Sequence, residues 1–298
     1  MAVTMIREEV AGTFAGVDEP WQPTSVCEVG RQDETEILEF LGARPTHTVY
    51  MTGLIHDNGV ISPRNRGSFY ASRTRNGKLE GVALIGHATM IEAHTEDALA
   101  NLARAARNCQ NLHLVRGEQR STQTFWRFFA DNGQQPRASC AEQLLELKES
   151  EAQENHLADL RPATIESLEQ TLLINAMLAV EEGGTNPMQT DPTGFRARTA
   201  ERIQKGRVWV WMRDGQLIFK ADVVSETPAA TYVEGVYVNP DERRKGYGLD
   251  CLTKLCAHLL HSSESVCLTV NEGNKAALAL YTKAGFKRHS KYETIYLQ

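Results

Sequence analysis

The run Val236-Tyr237-Val238-Asn239-Pro240-Asp241-Glu242-Arg243-Arg244-Lys245-Gly246-Tyr247-Gly248 constrains the fold of this chain more than any other segment. Val236 and Val238 have the alternation of a strand, and Pro240 ends it by lacking a donor and restricting the residue before it. Behind the glycines, Leu252, Leu255, Cys256, Leu259 and Leu260 recur at i, i+3, i+4, i+7 and i+8, so a helix opens at the turn. Gly246 and Gly248 allow the backbone to approach a ligand where a side chain would block it. Free amides at a helix start favour an anion, and Arg243, Arg244 and Lys245 add positive charge. A G-x-G alone is weak, since many such turns bind nothing. The order strand–Pro–Arg–Gly-x-Gly–helix is much more specific and describes a pyrophosphate cradle; the plain alternative is a solvated basic turn.

The length of 298 residues suggests two domains. Residues 148–155 are polar and aperiodic, which sets the expected domains at 1–150 and 156–298. A net charge of −6 argues against a nucleic-acid partner, and no apolar run reaches membrane-spanning length. Residues 1–18 lack an apolar signal core, so a cytoplasmic protein is expected. The six cysteines form no C-x-x-C pair, and no His/Cys constellation supports zinc or another metal.

In the second half, a strand is expected near 156–160 and helices at 164–182 and 190–205, with the breaker Gly183-Gly184-Thr185-Asn186-Pro187 between them. Strands follow at 208–212, 217–224 and 231–238, the first two joined by the hairpin signal Asp214-Gly215. After the Gly-rich turn and its helix come a strand at 266–270, a helix at 274–284 closed by Gly285, and a final pair of strands at 286–289 and 292–297. The first half repeats this order. Strands at 69–73, 79–85 and 88–91, with a turn at Asn76-Gly77, precede a helix at 96–107. A strand at 112–115, a helix at 122–130 capped by Asn132-Gly133, and a strand at 141–147 complete it. Residues 1–30 support no assignment. The pattern is α/β, two mixed sheets flanked by helices.

The 236–248 stretch resembles motif A of the GNAT superfamily of N-acetyltransferases, Arg/Gln-x-x-Gly-x-Gly/Ala, through Arg243, Gly246 and Gly248. The run from Val270 to Phe286, with Asn274, Ala277, Leu280-Tyr281, Lys283 and Gly285-Phe286, resembles the family's Asn-(x)-Ala-(x)-Leu-Tyr-(x)-Lys-(x)-Gly-Phe segment. The resemblance covers 157–298 well and the first half in outline. It implies two tandem GNAT-like domains, the first degenerate: no Arg-x-x-Gly-x-Gly turn precedes the helix at Glu96, and Phe129 stands where Tyr281 would be. An unrelated α/β domain is the alternative.

The resemblance implies an acyltransferase moving an acetyl group from acetyl-CoA to a primary amine of a small molecule or peptide. Arg243, Arg244, Gly246 and Gly248 would hold the pyrophosphate. The strand amides at Val236 and Val238 would join the cofactor site, with Val236 a donor to the oxyanion. Asn271 and Asn274 would meet the pantetheine arm, although Asn274 reads equally as an N-cap. Tyr281 resembles the general acid for the departing thiolate; otherwise it is a core aromatic. Glu234 is the base candidate, because alternation with Val236 and Val238 sets it on an apolar strand face unless a bulge intervenes. Its plain reading is a carboxylate opening to solvent. Glu181 and Glu182 flank the Gly-Gly loop, either attracting a cationic amine or ending a helix in solvent. Lys220 and Asp222 line a cleft or pair with one another. Trp209 and Trp211 share a core face, and His258 and His261 fit a helix C-terminus. The rivals are a non-catalytic acyl-CoA sensor or interaction module and a mycothiol-synthase-like tandem acyltransferase. A monomer containing an internal pseudo-dimer, or a homodimer, is compatible with this reading.

Overall fold

A computed structural model describes residues 25–130, 133–150 and 159–297. Its first half runs β1 (Ser25–Glu28), α1 (Glu34–Gly42), α2 (Pro45–Asn58), β2 (Gly67–Arg73), β3 (Leu79–Gly86), β4 (Ala88–Ala93), α3 (Glu96–Ala106), β5 (Leu114–Glu118), α4 (Gln119–Phe129) and β6 (Ala138–Leu147). The second half runs β7 (Arg161–Pro162), α5 (Leu168–Gly183), α6 (Pro187–Thr190), α7 (Pro192–Gln204), β8 (Val208–Arg213), β9 (Gln216–Glu226) and β10 (Thr231–Val238). It ends with α8 (Tyr247–Leu259), β11 (Val266–Asn271), α9 (Lys275–Lys283) and β12 (Lys287–Tyr296). Most of the strand at 156–160 and the cap residue Asn132 lie outside the described residues.

All the described strands join one mixed sheet, in the order β1-β2-β3-β4-β5-β12-β6-β11-β10-β9-β8-β7. Only β4–β5 and β10–β11 pair in parallel. The sheet is continuous because the halves exchange their last strands. β12, from the second half, lies between β5 and β6, while β6, from the first, lies between β12 and β11. The order β5-β12-β6-β11 thus has a pseudo-twofold relation at its centre.

The expected pair of closing strands is one strand, β12. A register shift between Arg288 and Ser290 gives it a bulge at His289, and the polar run at that kink reads in sequence as a break. The helices α1 and α2 lie where the sequence pattern predicts no element. α2 buries Thr46, Thr48, Val49, Met51, Gly53 and Ile55, so its inner surface is not a narrow apolar stripe. Buried hydroxyls account for this; Thr48 donates to the carbonyl of Leu41 at 2.6 Å. α2 crosses the sheet, and its middle sits on β9: Ser225 donates to the carbonyl of Val49 at 2.6 Å.

Each sheet face carries its own core. On one, Cys251, Leu252, Leu255, Cys256 and Leu259 of α8 and Tyr281 of α9 pack on Leu145, Leu147, Val266, Leu268 and Val270. On the other, Val49 meets Leu144, Tyr232, Cys267 and Tyr292, and α5 and α7 cover Val208 and Val210. Trp209 and Trp211 lie on the α8 face as expected, against His258 and Tyr247. No described helix is long and apolar enough to cross a membrane.

Candidate active site

The site forms where β10 leaves β11. These strands pair only at Thr231–Val266 and Tyr232–Cys267. Beyond Tyr232, β10 keeps its hydrogen bonds to β9 and presents its other edge to the gap. The amide of Asn239 donates to Ile218 of β9 at 2.9 Å, so strand alternation turns the peptide groups of Val238 toward the gap. Arg243 confirms that direction by donating Nε to the carbonyl of Val238 at 3.1 Å.

Upstream, β10 bulges. Glu234 pairs with Asp222 and Tyr237 with Lys220, leaving Gly235 and Val236 opposite Ala221 alone. Gly235 has φ +59°, and a Cβ there would stand 2.9 Å from Nζ of Lys220. Lys220 donates to the Gly235 carbonyl at 3.2 Å and fixes the bulge. The bulge overturns the expected position of Glu234. Its side chain does not share the apolar face of Val236 and Val238, which pack toward α8, but lies with Lys220 and Asp222 beneath α7.

There a charge chain forms. Lys220, fully buried, meets Asp222 at 2.8 Å in an ion contact rather than an aligned hydrogen bond. Asp222 holds Arg202 of α7 at 2.9 Å, and Arg202 stands 3.5 Å from Glu234. Lys220 and Asp222 therefore pair, and Arg202, which no motif marks, links them to Glu234. Burial of Arg202 is opposed first by Asp222 and then by Glu234, and the net effect raises its pKa, so its charge is permanent.

The Gly-rich turn follows. Gly246 is the N-cap of α8 with φ +88° and supplies no side-chain cap. A Cβ on Gly248 would come within 2.9 Å of Val238 Cγ2, so glycine here lets the helix close on the strand end. Lys245 pairs with Glu242 at 3.0 Å, and Glu242 also holds Arg213 at 2.6 Å. Arg244 is exposed, with φ +63° and no ion-pair partner among the described residues.

The first half lacks these openings. Thr95 caps α3 with its own hydroxyl, accepting from the amide of Ala98 at 3.2 Å. Past the β4–β5 pairing, Arg44 bridges Glu92 of β4 at 3.0 Å and Glu118 of β5 at 2.7 Å. A capped helix and a plugged gap stand where the second half has a bare helix end and an open one.

Tyr281 is buried in the α9 core and meets Phe286 edge-on, with ring centroids 5.9 Å apart. Its hydroxyl makes no hydrogen bond to a described residue. Burial, and then the carboxylate of Glu182, push the phenol pKa above its ordinary value of 10.0. Asn274 caps α9, accepting from the amide of Ala277 at 3.0 Å. Asn271 accepts from Gly273 at 2.6 Å and donates to Cys140 at 3.0 Å. His258 and His261 end or follow α8 as expected, the latter against the carbonyl of Ala257 at 2.7 Å. No cluster of metal-ligating residues occurs among the described residues.

Comparison with known proteins places this geometry. Residues 175–286 match the model of the acetyltransferase (GNAT) family. That segment is similar to a GNAT acetyltransferase domain. No curated protein matches the chain in sequence. A tandem GNAT protein from the clavulanic acid biosynthesis pathway aligns at TM-score 0.55 and 14% identity, over 91% of this chain and 98% of that one. A GNAT-family acetyltransferase from Colwellia psychrerythraea aligns at 0.57 and 12%, over 92% and 100%. A Drosophila protein aligns at 0.67 and 10%, over 92% and 98%. These likenesses establish the fold, including its tandem form; the matched segment spans the bulge, the bare end of α8 and Tyr281.

Proposed function

We propose that this protein transfers an acetyl group from acetyl-CoA to the primary amine of a small molecule or peptide held between the halves. One observation carries the reading: the bare N-terminus of α8 and the free edge of β10 open on the same gap. Amides and the unpaired Arg244 suit the pyrophosphate, while the gap suits an extended pantetheine arm, whose remote binding positions the thioester. Asn271 and Asn274 border the arm, and Val236, within the bulge, donates to the oxyanion.

A lysine-like amine is neutral in only about 10⁻³ to 10⁻⁴ of molecules at pH 7. A carboxylate must therefore take its proton before nitrogen attacks the carbonyl carbon. The C–S bond then breaks and its electrons pass to sulfur. Glu234 borders this path, 3.5 Å from Arg202, and a carboxylate there suits recognition of an ammonium group. Tyr281 donates to sulfur. Its raised pKa makes complete proton transfer uphill, since a thiol titrates near about 8.5, so a hydrogen bond to the developing thiolate is the consistent role.

Calorimetry with CoA, followed by mass spectrometry of acetyl-CoA with diamines, amino-acid amides, lysine peptides and aminoglycosides, tests the reading. Binding heat and one acetylated product support it, and Tyr281→Phe then lowers kcat about 10²-fold. Binding heat with no product across the panel favours the sensor reading; absence of heat removes both.

A further inference from the structure

The end of α5 carries the carboxylate of Glu182. Thr171, Asn175, Leu178 and Glu182 follow at i, i+4, i+7 and i+11 and share one helix face. Thr171 is fully buried, so that face points inward. Leu173, Met177 and Val180 form the opposite, exposed stripe. Glu182 is thus on the sheet side of the helix, exposed at its end.

The last turn of α5 is held there. Arg137 donates to the carbonyl of Gly183 at 2.7 Å while lying over the Tyr296 ring, 5.4 Å from its centroid. A Cβ on Gly183 would stand 3.1 Å from that ring, so glycine lets the helix end seat on β12. Glu182 keeps solvent access and has no hydrogen-bond or ion-pair partner among the described residues. Glu234, by contrast, is tied to Arg202.

We infer that Glu182 takes the proton from the acceptor ammonium, while Glu234, 3.5 Å from Arg202, holds that ammonium in place. This rests on the acetyl-transfer reading. The proton passes from nitrogen to the Glu182 carboxylate, the freed lone pair attacks the thioester carbon, the C–S bond breaks with its electron pair passing to sulfur, and the second proton of the cationic nitrogen goes to that thiolate, giving the amide and the CoA thiol.

The charged surroundings fit a base that works near neutrality. Partial burial raises the Glu182 pKa most, followed by Glu234 of β10; Glu142 of β6 and Glu181 on α5 add to it, and Arg116 of β5 opposes it. Together they bring it to about 7. The charge of Arg116 is shared with Glu142, which it meets at 3.2 Å, and its guanidinium also donates to Thr269. Tyr296 of β12, Cys140 of β6 and Tyr281 of α9 feel the Glu182 charge, and all three hold their protons more tightly for it. A base must be deprotonated to act, so turnover rises with pH through this value.

Two measurements test the assignment on the full chain. In the amine panel above, kcat/KM of the wild type rises tenfold per pH unit below about 7. Glu182→Gln loses that limb and about 10²-fold in rate, Glu182→Asp restores part of it, and CoA affinity by calorimetry changes by less than about twofold. Independently of any acceptor, the Glu182 carboxyl ¹³C resonance, identified by its loss in Glu182→Gln, titrates near neutrality. A midpoint in the ordinary carboxylate range, or an unchanged pH limb in Glu182→Gln, overturns the assignment and leaves acetyl transfer standing. Failure to acetylate any amine overturns both.

Discussion

Gly246 shows how much of the site depends on one backbone angle. At φ +88° it caps α8 without offering a side chain, and nothing lies within 4 Å of where its Cβ would be. Gly246→Ala therefore meets no clash, yet an L-residue in the left-handed region is disfavoured by about 1–2 kcal/mol. The expected outcome is a fall in Tm accompanied by weaker CoA binding, because a turn that relaxes toward negative φ redirects the amides. Calorimetry and thermal melts on the same sample check both, and a melt shift with unchanged CoA affinity would separate the turn from the cradle. The glycine requirement was legible in the sequence, because strand, proline, arginines and glycines all point to one conformation. Arg202 was not legible, and for Glu182 the sequence left open a carboxylate attracting a cationic amine or a helix end in solvent. Their roles come from helix faces docked on strands remote in sequence, and Glu234 was misplaced because Gly235 gives no sign of which way a bulge will turn its neighbours.

Among the elements, β10, α8 and α9 could be read directly, since period-2 and period-3.6 patterns meet unambiguous stops at Pro240, Gly246 and Gly285. α2 could not. A helix is read in sequence from an apolar stripe, whereas α2 buries Thr46 and Thr48, whose hydroxyls are satisfied, and a glycine at the contact with β9. That glycine makes α2 testable. A Cβ on Gly53 would lie 1.7 Å from Ser225 Oγ, so Gly53→Ala forces the helix from β9 or rotates Ser225 away from the Val49 carbonyl. Overpacking of this kind is destabilising by about 1–3 kcal/mol, beyond the gain that alanine brings to a helix interior. Urea unfolding of Gly53→Ala should show the loss, and Ser225→Gly in the same chain should recover most of it. Destabilisation without recovery would place the strain elsewhere in α2.

At the scale of the molecule, strand exchange determines what can fold alone. β12 pairs with β5 over five residues and with β6 along most of its length, so the last strand of the second half is flanked on both sides by the first. The second half by itself would lose both neighbours of β12 and leave the edge of β11 unpaired where β6 belongs. The buried side chains Leu144, Leu145 and Leu147 would leave with β6. A long apolar edge with unpaired amides is a site for association with other chains. Residues 159–298 expressed alone should therefore aggregate or bind CoA poorly, and co-expression with 1–150 should restore a soluble complex that binds it. In the intact chain the same interleaving couples the halves, so differential scanning calorimetry should give one transition with matching calorimetric and van't Hoff enthalpies. Two separated transitions, or a monomeric 159–298 fragment with full CoA affinity, would mean that the exchanged strands join the halves without making either depend on the other. The coupling would then leave the bare end of α8 as a self-sufficient site, with the first half serving only as a wall of the acceptor cleft.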